Sequence, residues 1–244
     1  MSIAGQTWWL VGASEGLGRA LASQMAQAGA KLVLSARNEE RLDTMAASLP
    51  NARALALDVT DAVAVTRVAG LVGPIDGMIY CAGAYTPMAA TEWQPGAAEQ
   101  MAEVNFMGAL RILAAIVPGM VAARSGRIVL IGSLSGFRGL PGAIGYGASK
   151  AALMHLAENM VVDLQGSGVA VQLVNPGFIE TRLTAQNDFK MPMIMSADAA
   201  AGCVMEAMQS GRFQTNFPRR LSWLFRAAQF WPIWVHKRVF RPRG

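Results

Sequence analysis

Cysteine and histidine are scarce in this 244-residue chain: two cysteines, Cys81 and Cys203, and two histidines, His155 and His236. The cysteines lie far apart, and Cys81 closes an apolar run expected to be a buried strand, so no disulfide is expected and a reducing cytoplasm fits. With no cysteine cluster and each histidine standing alone, no metal site is expected. Residues 1–6 carry neither a basic stretch nor a cleavage pattern, and no signal peptide is expected. No run of 18 uncharged apolar residues occurs, which argues against a transmembrane helix. Internal repeats, linkers and low-complexity tracts are absent as well. Charge is sparse, at 15% of residues against 53% hydrophobic, a composition more apolar than that of an average soluble protein. Apolar surface is therefore expected to remain for a partner, a lipid or a substrate. The length suits one α/β domain with a large core.

What is present is an alternation of apolar runs and helical patterns. Strands are expected near 7–11, 31–35, 53–57, 75–80, 127–132 and 169–174, with helices near 17–28, 39–48, 61–71, 97–122, 145–165 and 197–209. Such alternation predicts a doubly wound parallel sheet with helices on both faces, a Rossmann-type α/β fold. Ligands bind beyond the carboxyl ends of the strands in such sheets. The chemically suggestive segments all fall there: Gly12 to Gly18, Ala36-Arg37, Asp58-Val59, Cys81-Ala82-Gly83, Ser133 and Asn175-Pro176-Gly177. The first of them, Gly12-Ala13-Ser14-Glu15-Gly16-Leu17-Gly18, follows an apolar strand and opens a helix, a pattern that aims backbone N–H groups at a pyrophosphate.

Tyr146 and Lys150 stand four residues apart. On a helix that spacing places a phenol and an ammonium on one face. A nearby positive charge favours phenolate, which lowers the tyrosine pKa from about 10 and suits it to proton transfer.

Together these residues resemble the classical short-chain dehydrogenase/reductase family over about residues 5 to 210. The resemblance implies a catalytic tetrad of Asn105, Ser133, Tyr146 and Lys150. It also implies cofactor contacts from Gly12, Ser14, Gly16, Leu17, Gly18, Arg37, Asp58, Val59, Ala82, Gly83, Tyr146, Lys150, Pro176, Gly177 and Thr181. In the roles it implies, Tyr146 protonates the substrate oxygen, Ser133 polarises it, Lys150 lowers the tyrosine pKa and holds the nicotinamide ribose, and Asn105 positions a water. Two features depart from the family: Val11 replaces its usual threonine, and Tyr80-Cys81 its Asn-Asn, which bears on how the two loops are braced.

Cofactor choice turns on the end of the second strand, Ser35-Ala36-Arg37-Asn38. The acid that binds a ribose 2′-hydroxyl is missing, and the forked guanidinium of Arg37 suits a 2′-phosphate, so NADP (NADPH) is expected. Glu15, where many NADP-preferring relatives carry a base, gives no support. Residues 178–196 form the expected substrate lid, where Met191, Met193, Ile194 and Met195 beside Phe189 and Pro192 would mould around an apolar ligand or else pack on the core. Trp93, Phe137 and Leu140 are expected to share in that apolar site.

Residues 212–244 contain eight basic residues and no acid, whereas the other 211 residues hold 13 basic and 16 acidic, so the net charge of +5 is −3 in the body and +8 in the tail. The chain thus divides into an NADP-binding domain, 1–211, and a basic amphipathic tail, 212–244. Within the tail Leu221, Leu224, Phe225, Ala228 and Trp231 recur at helical spacing opposite Ser222, Arg226 and Gln229. Peripheral attachment to an anionic membrane surface on the cytoplasmic side is one reading, and packing on the domain or on a second subunit is the other. Nothing resembles a nucleic-acid-reading module. The expected protein is an NADP-dependent oxidoreductase, a homodimer or homotetramer, acting on the carbonyl or alcohol of an apolar substrate, lipid-derived compounds among the candidates. An NAD-linked alcohol dehydrogenase and a non-catalytic NADP-binding scaffold are the alternatives.

Overall fold

Thr7-Trp8-Trp9-Leu10-Val11 alternates its two indoles between opposite faces, as a strand's two-residue period requires. In the computed structural model, which describes residues 2–189 and 191–240, this run is the first strand of a seven-stranded parallel sheet. Trp8 packs in the core layer on one face and Trp9 in the layer on the other, both fully buried. Each indole N–H has a partner, Gln6 Oε1 at 3.1 Å and Ser35 Oγ at 2.9 Å, so neither leaves a buried donor unpaired.

In chain order the strands are β1 (Thr7–Val11), β2 (Lys31–Ser35), β3 (Ala52–Ala54), β4 (Gly77–Tyr80), β5 (Gly126–Ile131), β6 (Val169–Pro176) and β7 (Gln214–Phe217), and their order across the sheet is 3-2-1-4-5-6-7. The order reverses between β1 and β4, where a crevice opens beyond the strand ends. The major helices are α1 (Gly16–Gln27), α2 (Glu39–Ala47), α3 (Ala62–Val72), α4 (Ala97–Ala102), α5 (Gly108–Ala123), α6 (Ile144–Asp163) and α7 (Ala197–Ser210). Asn38, Asp61 and Ser196 cap α2, α3 and α7 by accepting from first-turn N–H groups, which satisfies donors that a helix start leaves free.

Three features differ from the sequence reading. The helix expected over 97–122 is broken by a π turn at Glu103–Met107 between α4 and α5. The whole run Ala97–Ala123 has the length and apolar character to cross a membrane. It carries a charged pair, however, Arg111 to Glu103 at 2.8 Å, and buries Ala109, Ile112, Leu113 and Met120 in the core. The expected strand at 53–57 is only three residues long, Ala52–Ala54. Most consequentially, the boundary expected at 211 is bridged by packing: residues 214–217 are β7, paired with β6, and α8 (Arg219–Ala228) and α9 (Ile233–Val239) follow. Arg241 and Arg243 of the basic tail lie outside the described residues.

Candidate active site

The turn after β1 is shaped by close approach. Gly12 has φ +92°, and a Cβ there would sit 2.4 Å from the Ala82 nitrogen on the neighbouring loop; only glycine fits. Glu15 precedes α1 without a side-chain cap, so the first-turn N–H groups remain free, the arrangement that binds a phosphate at a helix N-terminus. The two loops are joined by backbone, with Cys81 N–H donating to Val11 O at 2.8 Å and Gly12 N–H to Ser35 O at 2.7 Å. Tyr80 adds a brace of its own, donating its hydroxyl to Val104 O at 2.5 Å. The departures at Val11, Tyr80 and Cys81 thus leave the loops held by main chain and a buried phenol.

These loops enclose a cleft of about 650 Å³, within the usual range for cofactor sites. Gly12, Ser14, Gly16, Leu17, Gly18, Arg37, Asp58, Val59, Ala82, Gly83, Tyr146, Lys150, Pro176, Gly177 and Thr181 all line it. Arg37 is exposed at the cleft and makes no ion pair with Glu39 or Glu40 among the described residues. Asp58 turns one oxygen to Thr60, accepting from its N–H and hydroxyl at 2.9 and 2.8 Å. Sequence reasoning missed two further cations on the cleft, Arg41 and Arg182. Both reach Glu15, Arg182 through Nε and a terminal nitrogen at 2.6 to 3.2 Å and Arg41 at 3.5 Å. A carboxylate beside the glycine turn is therefore neutralised by the lid and by α2.

Asn105 lies in the π turn and is fully buried. It accepts from Ala84 N–H at 2.7 Å and donates to Ala84 O at 3.0 Å and Ser149 Oγ at 2.9 Å, clasping the loop after β4 to α6. It does not line the cleft. Ser133, just beyond β5, accepts from the Ser135 N–H at 3.2 Å and the Ser135 hydroxyl at 2.9 Å. With both bonds incoming, its own proton is free to be donated.

The electrostatics of the pair on α6 differ from the expectation. Lys150 Nζ donates to Ile131 O at 2.8 Å and lies 5.9 Å from the centre of the Tyr146 ring. Burial pushes the Tyr146 phenol up to about 12, with hydrogen bonding to Ser133 pulling the other way; in this state Lys150 does not lower it. Burial also brings Lys150 down to about 8, because a charged ammonium is costly away from water. At neutral pH the phenol is protonated, the state a donor needs.

A second cavity of about 110 Å³ adjoins the cleft, and Tyr146 and Gly177 belong to both. Its lining includes Tyr85, Ser133, Leu134, Ser135, Leu140, Phe178, Phe189, Leu221 and Phe225. Tyr85 packs edge-on against Tyr146 at 5.0 Å and donates its hydroxyl to Asn187 Oδ1 at 2.7 Å, tying the lid to the loop after β4. Of the residues expected to make the apolar site, Leu140 and Phe189 do so. Met195 packs on the core instead, and Trp93, Met193 and Ile194 are exposed. Leu221 and Phe225, on α8, were legible as an apolar face that could pack on the domain, but their place in this cavity was not.

Residues 6–191 match the short chain dehydrogenase family. The chain is 34% identical over 235 residues to an uncharacterised oxidoreductase of Myxococcus xanthus, covering 93% of each. It is 32% identical to another from Staphylococcus epidermidis, covering 82% of this chain and 89% of that one. Among solved structures, a short chain dehydrogenase from Burkholderia cenocepacia in complex with NADP superposes with TM-score 0.89 at 25% identity, covering 99% of this chain and all of the other. A short-chain dehydrogenase from Sphingobium yanoikuyae in complex with NADPH superposes with TM-score 0.83 at 27% identity, covering 98% and 97%.

Proposed function

Because the chain belongs to the short-chain dehydrogenase family, a family of oxidoreductases, we propose that it reduces the carbonyl of an apolar substrate at the expense of NADPH. The observation that carries this reading is the position of Tyr146, whose side chain belongs both to the dinucleotide-sized cleft and to the adjoining apolar cavity. NADPH, when bound, supplies the hydride. Tyr146 then gives its proton to the substrate oxygen as that atom gains charge. Ser133, holding two incoming hydrogen bonds from Ser135, directs its own proton at the same oxygen and stabilises the developing charge. Lys150, 5.9 Å from the centre of the Tyr146 ring, would supply positive charge beside the phenol and would help hold the cofactor's ribose, and Asn105 holds α6 against the loop after β4. An NADPH-oxidation screen across ketones, aldehydes and acyl thioesters tests the activity; no turnover with any of them would favour the scaffold alternative.

Two structural relatives are complexes with NADP or NADPH, and Arg37 at the cleft offers a forked cation for the 2′-phosphate. Replacing Arg37 with Ala should weaken NADPH binding roughly tenfold or more and leave NADH nearly unchanged, read by cofactor fluorescence titration. Equal losses, or a wild type that prefers NADH, would point to the NAD-linked alternative. The rate should also depend on pH. Lys150 titrates at about 8, so kcat/KM for reduction should fall as pH rises through that value and its charge is lost. A profile flat to well above it would exclude a role for the ammonium. Stability should run the opposite way: between about 8 and 10.5 the unfolded lysine binds a proton that the folded one does not, so stability rises with pH across that window.

The reading extends to location and assembly. Two free cysteines fit a reducing cytoplasm, and a homodimer or homotetramer is proposed, to be checked by light scattering. The exposed side of the tail supports contact with an anionic bilayer. Trp223 and Trp234 are both about two-thirds exposed, Arg219, Arg220, Arg226, Lys237 and Arg238 are exposed beside them, and the segment holds no acid. On the other side of α8, Leu221, Phe225 and Ala228 are buried on the domain, which supports the packing reading for that face.

A further inference from the structure

The helix α8 has two apolar sides with different neighbours. Leu221 and Phe225 face inward, packed with Leu134, and line the cavity that holds Tyr146 and Ser133. Trp223 and Leu224 face solvent, and beyond them Phe230 is 87% exposed. Among the described residues, the covering of the pocket on this side is thus one ten-residue helix whose outer surface is itself apolar and basic.

We propose that α8 is a wall shared by the substrate pocket and an anionic bilayer surface, so that docking on the bilayer opens the pocket to a long-chain carbonyl compound dissolved in it. This rests on the reductase and membrane readings given above.

Three observations support it. The cavity holds about 110 Å³, well below the roughly 300–1,000 Å³ of occupied ligand sites, so a long chain would overfill it unless a wall moves. Among the described residues, three hydrogen bonds join the tail to the pocket loop beside the packing of Leu221 and Phe225 on Leu134, Phe137 and Leu140: Arg138 donates to Gln229 O at 3.4 Å and Trp231 O at 3.2 Å, and His236 Nε2 meets Gly139 O at 2.7 Å. Arg138 and Gly139 stand just before Leu140 of the pocket lining, so a shift of the tail is transmitted to the substrate loop.

The chemistry of the outer face selects the occupant. Indole rings with an apolar body and a polar N–H favour the headgroup boundary, and each cation near an anionic surface adds to the attraction. A second copy of the chain fits poorly, because a two-fold interface sets each patch against itself and would oppose cations to cations.

The test compares two aldehydes with NADPH: water-soluble butanal in buffer, and hexadecanal carried in vesicles of phosphatidylcholine, alone or mixed with phosphatidylglycerol. Wild type should reduce hexadecanal roughly tenfold faster or more from the anionic vesicles. The double variants Trp223→Ser/Trp234→Ser and Arg220→Glu/Lys237→Glu should lose that advantage while keeping the butanal rate. Hydrogen exchange reads the same gate without turnover. On anionic vesicles, amides of residues 134–141 and 221–228 should exchange faster than in buffer.

Co-sedimentation with anionic vesicles but equal hexadecanal rates and unchanged exchange would overturn the gate and leave the attachment standing. No vesicle binding would overturn both, with the butanal rate still testing the reductase reading. A wild type that turns to dimers through this face, with variants that stay monomeric and vesicles that change nothing, would identify a second copy as the occupant and refute the proposal.

Discussion

Tyr146→Phe should reduce turnover by about 100-fold to 10,000-fold while NADPH binds almost as before. The substitution removes one oxygen and keeps the ring, so the edge-on contact with Tyr85 at 5.0 Å survives and the cleft keeps its shape. What is lost is the proton that a phenol held at about 12 retains at neutral pH. Steady-state kinetics on any substrate found in the screen, with cofactor titration alongside, separates the effects. A variant that turns over at the wild-type rate would remove Tyr146 from the chemistry.

Gly18→Ala should abolish cofactor binding and cost stability. A Cβ at Gly18 would stand 2.0 Å from the Gly12 carbonyl oxygen, and neither atom belongs to a flexible side chain, so the start of α1 must move off the glycine turn. Overpacking of this kind costs about 1–3 kcal/mol, and the N–H groups aimed at the pyrophosphate move with the helix. Gly70 supplies the contrast. It lies within α3, and a methyl group added there would meet nothing within 4 Å, so Gly70→Ala should instead stabilise by about 0.5–1 kcal/mol through helix propensity. Thermal melts of the two variants, with NADPH titration of each, check both signs.

Much of the cleft was legible because its chemistry depends on residue type at the end of a single strand. The glycine turn, Asp58, Ser133 and the Tyr146–Lys150 pair each carry a local signal, and strands of alternating or continuous apolar residues placed them on one edge of the sheet. What escaped reading depends on partners distant in sequence. The four residues of β7, Gln-Thr-Asn-Phe, have no apolar alternation and become a strand only because β6 offers an edge. The apolar period runs unbroken through residues 97–122, so nothing local marks the π turn that carries Asn105. The direction of Lys150 follows from its bond to the Ile131 carbonyl, which no spacing on α6 reveals. The helical pattern of α8 was visible, yet which side would be covered was not, since Leu134 and Phe137 lie over eighty residues away. The ion pairs of Glu15 with Arg41 and Arg182 are invisible for the same reason.

The central claim is that hydride passes from NADPH to a carbonyl held against Tyr146 and Ser133. Isotope transfer tests it most directly: wild type and Tyr146→Phe are each incubated with NADPH deuterated at the nicotinamide C4 position, and the alcohol is analysed by mass spectrometry. Wild type should yield one deuterium per alcohol, from one face of the nicotinamide only, in step with NADPH oxidation, and Tyr146→Phe should yield almost none in the same time. Alcohol without deuterium from either face, or cofactor that binds tightly yet transfers nothing to any carbonyl compound, would contradict it.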